Sequence, residues 1–395
     1  MKIVADQDIF AIEEIFQPLG ELVLLPGRSI SRRDLVDADA LLVRSVLTVG
    51  RDLLAGTGVR FAGTATSGVD HVDTRWLREA GIAFAHARGA NAPAVVEYCL
   101  GALARLTLAG CIDRTTRRVG VIGAGAIGGR LARKLRTLGY EVIVCDPPLA
   151  KAAEKSRPNL EPGFEFQSME AALDCDIVSL HVPLTHAGRH ATAGMLDADA
   201  LARLRPGAVL LQTSRGGVVD EQALLARLSG GPEIHCVVDV WENEPAVNAA
   251  LAGMASLATP HIAGYSEQAK WAAGLMLARQ LAGHFELPQS EPDATGGSPS
   301  DLDVRPEWNR DDMGHWRIID HCMALADLSS QFKRRVAADE PGRSPDLTAK
   351  EFDRMRTPRL RRQEFSAIRL RDAEPLTNRQ RSWLADAGFT LQPVR

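Results

Sequence analysis

Three short segments of this chain carry side chains that could together move a proton on a small acid. Arg215 follows a strand-like apolar run, Glu244 precedes Pro245, and His261 lies within Thr259–Tyr265. Removing a hydroxyl proton requires a base that titrates near neutrality, and histidine meets this need. A neighbouring carboxylate favours the imidazolium that results, and an arginine can hold a substrate carboxylate through two parallel hydrogen bonds. The three residues predict acid–base chemistry on a carboxylate-bearing alcohol.

Each of these residues also has a purely structural interpretation. Arg215 could belong to a surface ion pair, Glu244 could be a loop carboxylate, and His261 could be a hydrogen-bonded core histidine. All three follow strand-like runs, and open parallel sheets bind ligands at the carboxyl ends of their strands. Their shared position favours the chemical interpretation.

A glycine-rich turn predicts where a dinucleotide would bind. Gly123, Gly125 and Gly128 lie between a strand-like and a helix-like run, the context in which this spacing is informative. The first glycine permits a tight turn, the second lets backbone approach a pyrophosphate, and the third lets the helix pack closely. Asp146 ends the next strand-like run, about 20 residues further on. Its carboxylate suits a ribose hydroxyl and would repel a 2′-phosphate, which favours NAD over NADP. The alternative is an ordinary glycine turn.

The rest of the chain must position these residues. Strand-like and helix-like runs alternate from Lys2 to Ala85, which is typical of a parallel α/β sheet. A buried helix is expected over Ala94–Ala109, and six strands after it predict a dinucleotide-binding domain. A long helix is expected over Ser266–Phe285, and 289–301 has the composition of a linker. The six strands are expected at Val119–Ile122, Glu141–Cys145, Asp176–His181, Ala208–Gln212, Ile234–Val240 and Ser256–Ala258.

Size, charge and composition narrow the class of protein. A chain of 395 residues exceeds a single hydrophobic core, so two or three domains are expected. The net charge of −4 offers no general attraction to nucleic acid or to an anionic membrane, and neither partner is expected. The first residues predict a strand rather than a signal peptide. Six cysteines without a C-x-x-C pair predict reduced thiols, no metal site and a cytoplasmic location.

Taken in sequence order, these motifs resemble the D-2-hydroxyacid dehydrogenase family. The resemblance rests on Arg215-Gly216, the run Asp239–Pro245 and the run Thr259–Gly264. It implies that Arg215 clamps a substrate carboxylate, that His261 is the acid/base and that Glu244 is the partner of the histidine. It also implies NAD as cofactor. The cofactor contacts that it implies are Gly123, Gly125, Ala126, Ile127, Gly128, Asp146, Val182, Asp239 and Gly264. Asp239 could instead support the fold, and His181 is expected to border the cofactor without ionising.

Loops near the start resemble the substrate side of family members that act on phosphorylated acids. Two hydroxyls and an arginine suit a phosphate group. The implied reaction is NAD-dependent oxidation of a small phosphorylated 2-hydroxy acid. The alternatives are another enzyme of the family, such as a phosphoglycerate dehydrogenase, and a non-catalytic NAD-sensing regulatory module. The substrate contacts that the resemblance implies are Arg44, Ser45, Thr66 and Tyr265.

The resemblance also implies a fold and an assembly. It implies two doubly wound parallel-sheet α/β domains: a flavodoxin-like substrate domain over 1–93 and 259–288, and a Rossmann NAD domain over 94–258. After the linker 289–301, residues 302–395 resemble a smaller α+β dimerisation domain, which implies a homodimer. The arginine-rich stretch Glu351–Asp372 is expected either to be a solvated face or to help shape the phosphate end of the site.

Overall fold

The chain forms two compact units in a computed structural model that describes residues 1–113, 115–116, 118–155, 164–231, 233–288, 299–336, 351–352, 354–356 and 361–392. The first unit is Met1–Ala92 with Tyr265–Ser298, and the second is Pro93–Gly264 with Pro299–Arg395. Within the described ranges, no helix combines the length and the apolar character that a bilayer span requires.

The first unit is built on a parallel sheet with the strand order β2-β1-β3-β4-β5, which is the flavodoxin-like order. Central strands β1 and β3 are buried almost throughout, as expected of a parallel sheet covered on both faces. The strands are β1 (Lys2–Asp6), β2 (Glu21–Leu25), β3 (Ala40–Val43), β4 (Phe61–Thr64) and β5 (Ala83–His86). The α-helices described for this unit are α1 (Ile12–Phe16), α2 (Arg51–Leu54), α3 (Thr74–Glu79) and α11 (Glu267–His284).

Helix α11 confirms the long helix expected near the middle of the chain. Ser266 caps it, because the Ser266 Oγ accepts a hydrogen bond from the backbone N–H of Ala269 at 2.9 Å. Leu277 and Leu281 on this helix are fully buried in the core of the first unit. The polypeptide chain therefore returns to the first unit at Tyr265, after residues 93–264 have formed the larger part of the second unit.

The second unit contains a parallel sheet with the strand order β11-β10-β9-β8-β6-β7. Its strands confirm the six that were expected, with no end shifted by more than two residues. They are β6 (Arg118–Ile122), β7 (Glu141–Cys145), β8 (Ile177–Leu180), β9 (Val209–Gln212), β10 (His235–Val238) and β11 (Leu257–Ala258). The helices described around this sheet are α4 (Ala92–Leu108), α5 (Gly128–Thr137), α6 (Pro147–Lys155), α7 (Met169–Leu173), α8 (Ala198–Ala202), α9 (Glu221–Gly230) and α10 (Ala249–Met254).

A single bridge completes the Rossmann pattern at the outer edge of this sheet. Phe166 pairs in parallel with Val144 of β7, and the N–H of Gln167 donates to the Val144 carbonyl at 2.8 Å. With this bridge counted as an abbreviated third strand, the order becomes 3-2-1-4-5-6-7, which is the 3-2-1-4-5-6 order of a dinucleotide-binding fold with β11 added as a seventh strand. This element was not predicted from the sequence, because a single residue pair leaves no strand-like run.

The C-terminal part of the second unit adds a small parallel sheet in the order β12-β13-β14. Strand β12 begins at Ser300, so the predicted linker 289–301 overlaps the strand by two residues, whereas 289–298 lies outside the described residues. The strands are β12 (Ser300–Asp303), β13 (Ile368–Arg371) and β14 (Thr390–Leu391), and the helices are α12 (Gly314–Met323), α13 (Leu325–Val336) and α14 (Asn378–Ala387).

Arginines of the stretch Glu351–Asp372 form ion pairs inside the chain. Arg369 pairs with Asp301 at 2.9 Å, which joins β13 to β12. Arg362 is buried, and its Nη1 donates to Glu97 Oε2 on α4 at 2.6 Å. Arg359 lies outside the described residues. The stretch is therefore not simply a solvated face.

The buried carboxylate Glu97 anchors the C-terminal part to α4. Burial raises the pKa of Glu97 to about 7 against the opposing effect of Arg362. The other oxygen of Glu97 accepts from the backbone N–H of Phe365 at 2.7 Å. Removing one partner would leave the other buried without a counter-charge, which is costly. The pair consequently fixes where the C-terminal part docks.

Candidate active site

Three loops that carry reactive side chains begin side by side at the edge of the second sheet. In the register of the strands, Val238 of β10 pairs with Gln212 of β9 and with Ala258 of β11. The loop after β9 holds Arg215, the loop after β10 holds Glu244, and the loop after β11 holds His261. The carboxyl ends of parallel strands are where such sheets bind ligands.

His261 and Glu244 form a direct hydrogen-bonded pair. Nδ1 of His261 lies 2.7 Å from Oε2 of Glu244, and both side chains are partly exposed. An ionised carboxylate can only accept, so Nδ1 carries the proton in this bond and Nε2 presents its lone pair. The other Glu244 oxygen accepts from the backbone N–H of Trp241 at 2.8 Å. The pair can therefore take up a proton at Nε2.

The charge state of Glu244 suits this arrangement. Burial acts to raise its pKa, but His261, the Trp241 N–H and the charge of Arg356 together hold the pKa of Glu244 below its usual range. Glu244 is thus ionised at neutral pH, and an ionised carboxylate favours a positive charge on the adjacent imidazole.

The backbone at His261 adopts a left-handed conformation, with φ at 54°. Asp239 is completely buried and holds the residues on both sides of this turn. One of its oxygens accepts from Thr259 Oγ1 at 2.6 Å and from the Ile262 N–H at 2.8 Å, and the other accepts from the Ala263 N–H at 2.8 Å. Burial raises the pKa of Asp239 although these hydrogen-bond donors act in the opposite direction. These bonds favour the interpretation of Asp239 as a support for the loop.

Two aromatic residues that the sequence analysis missed complete the support of this loop. Nε1 of Trp241 donates to the Thr259 carbonyl at 2.9 Å. The Tyr98 hydroxyl, on α4, lies 2.5 Å from Thr259 Oγ1. Tyr98 is distant in sequence and belongs to no recognisable motif, so no local signal identified it. The position of Trp241, within the run from Asp239 to Pro245, was the available hint.

Arg215 occupies a tight turn that packs on the neighbouring loop. Nε2 of Gln212 donates to the Arg215 carbonyl at 2.9 Å, and Oε1 of Gln212 accepts from Ser214 Oγ at 2.8 Å. A Cβ at Gly216 would overlap the Trp241 carbonyl oxygen, so only glycine allows this approach. The turn of Arg215 and the loop of Glu244 are therefore in direct contact.

The three glycines of the predicted cofactor turn have distinct structural roles. Gly123 has φ of 90°, and a Cβ there would lie 2.5 Å from the His181 carbonyl oxygen. A Cβ at Gly128 would overlap the Gly123 carbonyl, whereas one at Gly125 would meet no atom within 4 Å. Nothing in the described protein requires glycine at 125, so its open side suits a ligand that approaches the backbone closely.

The surroundings of the turn also fit a dinucleotide. Ala126 and Ile127 lead into α5, and the first N–H groups of a helix have no intrahelical acceptor and attract phosphate. Asp146 lies beside the turn, where its Oδ2 accepts from the Ala124 N–H at 2.8 Å and its Oδ1 from the Leu149 N–H at 3.0 Å.

Val182 and His181 lie against the base of the same turn. A Val182 methyl carbon would be 2.8 Å from a Cβ at Gly123. Burial lowers the pKa of His181 to about 3, and its Nε2 lies 2.8 Å from Ser179 Oγ. His181 is neutral at physiological pH, as expected. Gly264 ends the segment Pro93–Gly264 of the second unit. It directly follows Ala263, whose backbone N–H donates to Asp239.

The substrate-side residues implied by the resemblance lie in the first unit. Arg44 donates through Nε to Asp6 at 2.8 Å and through Nη2 to Asp8 at 2.6 Å. These carboxylates raise the pKa of Arg44, although burial acts in the opposite direction. Ser45, the next residue, is exposed.

Thr66 and Tyr265 are the other two residues of this group. The Thr66 hydroxyl lies 2.8 Å from Thr64 Oγ1 and donates to the Gly68 carbonyl at 2.8 Å. The ammonium of Lys270, one turn into α11, lies 3.8 Å from the centroid of the Tyr265 ring. Lys270 was not predicted, because its place near Tyr265 depends on where α11 begins.

No group of three or more metal-binding side chains occurs in the part of the chain that the structure describes. A nicotinamide cofactor supplies the acceptor for a hydride when it is bound.

Comparison with known proteins agrees with this interpretation. Residues 108–263 match the family described as D-isomer specific 2-hydroxyacid dehydrogenase, NAD binding domain. NAD-bound 3-phosphoglycerate dehydrogenase of Entamoeba histolytica has a similar structure, with a TM-score of 0.59 and 23% identity over 72% of this chain and 95% of that one. At this identity the likeness concerns the fold alone. Fold and site together define an NAD-dependent D-2-hydroxyacid dehydrogenase, which confirms the expected fold class and cofactor.

Two relatives indicate to which group of D-2-hydroxyacid dehydrogenases the chain belongs. Erythronate-4-phosphate dehydrogenase of Azotobacter vinelandii is 41% identical over 382 residues, 94% of this chain and 95% of the relative. The enzyme of that name from Hahella chejuensis is 40% identical over 378 residues, covering 94% of each. The chain belongs to the erythronate-4-phosphate dehydrogenase family. The similarity extends through the C-terminal part, beyond the 108–263 of the NAD-binding domain.

Proposed function

We propose that this chain oxidises 4-phospho-D-erythronate at C2 to (R)-3-hydroxy-2-oxo-4-phosphooxybutanoate, with reduction of NAD, in the biosynthesis of pyridoxal 5′-phosphate. The observation that carries the proposal is the His261–Glu244 pair, at 2.7 Å, at the strand ends of an NAD-binding domain. Similarity over 94% of the chain to erythronate-4-phosphate dehydrogenase supports this choice of substrate.

His261 is proposed as the general base of the oxidation. The C2 hydroxyl transfers its proton to Nε2 of His261 as the C2 hydrogen leaves with its electron pair to NAD, so that a C=O double bond forms at C2. Glu244 stabilises the resulting imidazolium and holds the ring through Nδ1. In the reverse direction the same residue returns the proton.

Arg215 is proposed to hold the C1 carboxylate of the substrate. A guanidinium can form two parallel hydrogen bonds with a carboxylate, which fixes the adjacent C2 relative to a hydride acceptor. Two contacts restrict the backbone of Arg215 and so support this role. Gln212 donates to the Arg215 carbonyl, and Gly216 packs against the Trp241 carbonyl.

The cofactor contacts are proposed on the same basis. The residues from Gly123 to Gly128 bind the pyrophosphate, and Val182 borders it. Asp146 accepts from the adenosine ribose and disfavours NADP. Asp239 and Gly264 lie at the nicotinamide end, where Asp239 acts mainly by holding the loop after β11.

The first unit is proposed to bind the rest of the substrate through Arg44, Ser45, Thr66 and Tyr265. Asp6 and Asp8 engage Nε and Nη2 of Arg44, so a phosphate would meet the Nη1 side of the guanidinium. Lys270, beside Tyr265, adds a second cation to this group. Two positive groups suit a phosphate better than one.

We further propose that the protein is a cytoplasmic homodimer. The part of the chain from 302 to 395 would form the dimerisation domain, 1–93 with 259–288 the substrate domain and 94–258 the NAD domain. The resemblance of the C-terminal part to a dimerisation domain supports the assembly. Sedimentation of the full chain should give twice the 42.7 kDa of one copy, and a monomer at micromolar concentration would contradict it.

The decisive experiment for the function is a comparison of two phosphorylated acids. Initial rates of NADH formation would be measured with 4-phospho-D-erythronate and with 3-phospho-D-glycerate, each with NAD and with NADP. We expect kcat/KM to favour phosphoerythronate by about a hundredfold, the order of discrimination that a difference of one carbon centre between two substrates can give, and to favour NAD.

Each alternative has its own outcome. Preference for 3-phosphoglycerate would replace the proposed substrate and favour a phosphoglycerate dehydrogenase. Tight NADH binding without turnover of either acid would favour an NAD-sensing regulatory module. The His261→Ala variant is the background control in every assay, because it retains the glycine turn and lacks the proposed base.

A further inference from the structure

We propose that helix α13, in the C-terminal part of the second unit, positions the loop of His261, and that Ser329 and Phe332 are the positioning residues. The proposal rests on the proposed function, because it assigns two further residues to the same proton-transfer site. Neither residue was singled out in the sequence, and neither lies in the family's NAD-binding domain, which matches residues 108–263.

Ser329 fixes the strand from which the His261 loop begins. Strand β11 has only two residues and is the edge strand of its sheet, so among the described strands none lies beside its outward N–H groups. The N–H of Ala258 donates to Ser329 Oγ at 2.9 Å, and Ser329 is almost completely buried. Thr259 follows directly, and His261 lies three residues beyond Ala258. The hydroxyl of Ser329 therefore replaces a strand partner at the root of the loop.

Phe332 acts on the other side of the same loop, through Trp241. Residues three apart lie on one face of a helix, so Ser329 and Phe332 point the same way from α13. The fully buried Phe332 ring lies 5.6 Å, between centroids, from the Trp241 ring. Phe352, also buried, packs against Phe332 with centroids 6.0 Å apart. The indole of Trp241 is thus held from behind by aromatic side chains of the C-terminal part.

Trp241 connects this packing to both members of the catalytic pair. Its indole N–H donates to the carbonyl of Thr259, and its backbone N–H donates to Glu244. One residue therefore makes both bonds, the first through its side chain and the second through its backbone. A shift of Trp241 would move Glu244 and the loop of His261 relative to each other.

A third contact holds α13 itself in place. The ammonium of Lys333 donates to the carbonyl of Ala255, at the end of α10 and two residues before β11. Ser329 therefore contacts strand β11, Phe332 contacts the loop of Trp241, and Lys333 contacts the end of α10. Together they make α13 the support against which the His261 loop is set.

The test compares Ser329→Ala and Phe332→Ala with Ser330→Ala in the full-length protein. Ser330 is the next residue on the same helix and is exposed, so its variant makes the same chemical change without touching β11. We expect Ser329→Ala and Phe332→Ala to lower kcat for phosphoerythronate by about tenfold or more, since small misplacements of catalytic groups are costly. The NADH dissociation constant and the KM for NAD should remain within about twofold of the wild-type values, and Ser330→Ala should match the wild type throughout.

A second measurement needs no substrate. The proton on Nδ1 of His261, assigned by its loss in His261→Ala, would be followed by NMR in the wild type and the three variants. Its resonance should shift or broaden in Ser329→Ala and Phe332→Ala and remain unchanged in Ser330→Ala. If the wild type fails to oxidise phosphoerythronate, the proposed function fails, whereas this resonance still tests the positioning role.

Two results would overturn the inference. One is wild-type kcat and an unchanged His261 resonance in Ser329→Ala. The other is a parallel loss of kcat, NADH binding and thermal stability in Ser329→Ala, which would make the residue merely structural. If Phe332→Ala does not fold, Ser329→Ala decides the matter alone, because it removes one oxygen atom and no packing volume larger than a hydroxyl.

Discussion

The glycine turn at Gly123–Gly128 and the histidine loop at Thr259–Gly264 both follow parallel strands of the same sheet, yet they are held in opposite ways. The glycine turn takes its shape mainly from absent side chains, because a Cβ at Gly123 or Gly128 would collide with nearby backbone, and the side chain of Asp146 adds one hydrogen bond from the Ala124 N–H. The histidine loop takes its shape from side chains that come from elsewhere, among them Tyr98, Asp239 and Trp241.

This difference separates binding from turnover. A turn defined by its own glycines can keep its shape when distant parts of the chain change, because its constraint is local. A loop held by remote hydrogen bonds inherits every displacement of the residues that hold it. We therefore expect substitutions in the turn to affect NADH affinity, and substitutions around the loop to affect kcat.

The largest expected effect is on turnover, in His261→Ala. We expect kcat to fall by about a thousandfold or more, because general acid–base catalysis contributes factors of this order. The NADH dissociation constant should stay within about twofold, since the glycine turn is untouched. Stopped-flow kinetics and NADH fluorescence titration measure the two quantities, and substantial activity in this variant would remove histidine from the mechanism.

The same difference explains which parts of the site were visible in the sequence. The glycine turn and the order of Arg215, Glu244 and His261 were predicted correctly as features of one sheet edge, because each is a local pattern after a strand. The Tyr98 and Trp241 contacts with Thr259 depend on the packing of α4 and on loop geometry. No periodicity or spacing encodes such contacts.

The fold shows a similar limit. The long runs gave the six strands of the second sheet, whereas the bridge of Phe166 was missed because it is a single residue pair. The arginine-rich stretch was read as a solvated face or a phosphate-binding group. Arg362 instead pairs with Glu97, a partner that lies far away in sequence on α4. Composition can indicate a cluster of charge, but it cannot supply the partner of a buried charge.

Two glycine variants sharpen the contrast within the turn. Gly128→Ala places a Cβ against the Gly123 carbonyl, so the free energy of unfolding should fall by about 3 kcal/mol. Gly125→Ala meets no atom of the described protein within 4 Å and has no positive φ, so stability should change little. Its methyl group would instead face the cofactor, and NADH should bind about tenfold more weakly. Thermal unfolding without NADH and titration with NADH distinguish the two.

The measurements on Gly128→Ala and Gly125→Ala could also contradict the separate roles of the two glycines. Equal destabilisation by both substitutions would mean that the turn is constrained as a whole and that Gly125 has no separate role toward the cofactor. Unchanged NADH affinity in Gly125→Ala would remove this turn from the pyrophosphate site. In both variants kcat at saturating NAD should remain close to that of the wild type, because the histidine loop is unaltered.

The smallest effect is expected for Glu244→Gln, which keeps the shape of the side chain and removes its charge. We expect kcat to fall about five- to tenfold, because the amide stabilises an imidazolium less than a carboxylate does. The pH dependence of the free energy of unfolding provides an independent test of the Glu244 charge. Because His261 and the Trp241 N–H hold the pKa of Glu244 below its unfolded-state value against burial, wild-type Glu244 contributes stability that is present above that value and lost as pH falls through the folded-state pKa. The glutamine variant should lack this acid-dependent loss. Unfolding by denaturant across the acid range, together with kcat, checks the prediction, and an acid-dependent loss of stability in Glu244→Gln equal to that of the wild type would contradict the role assigned to Glu244.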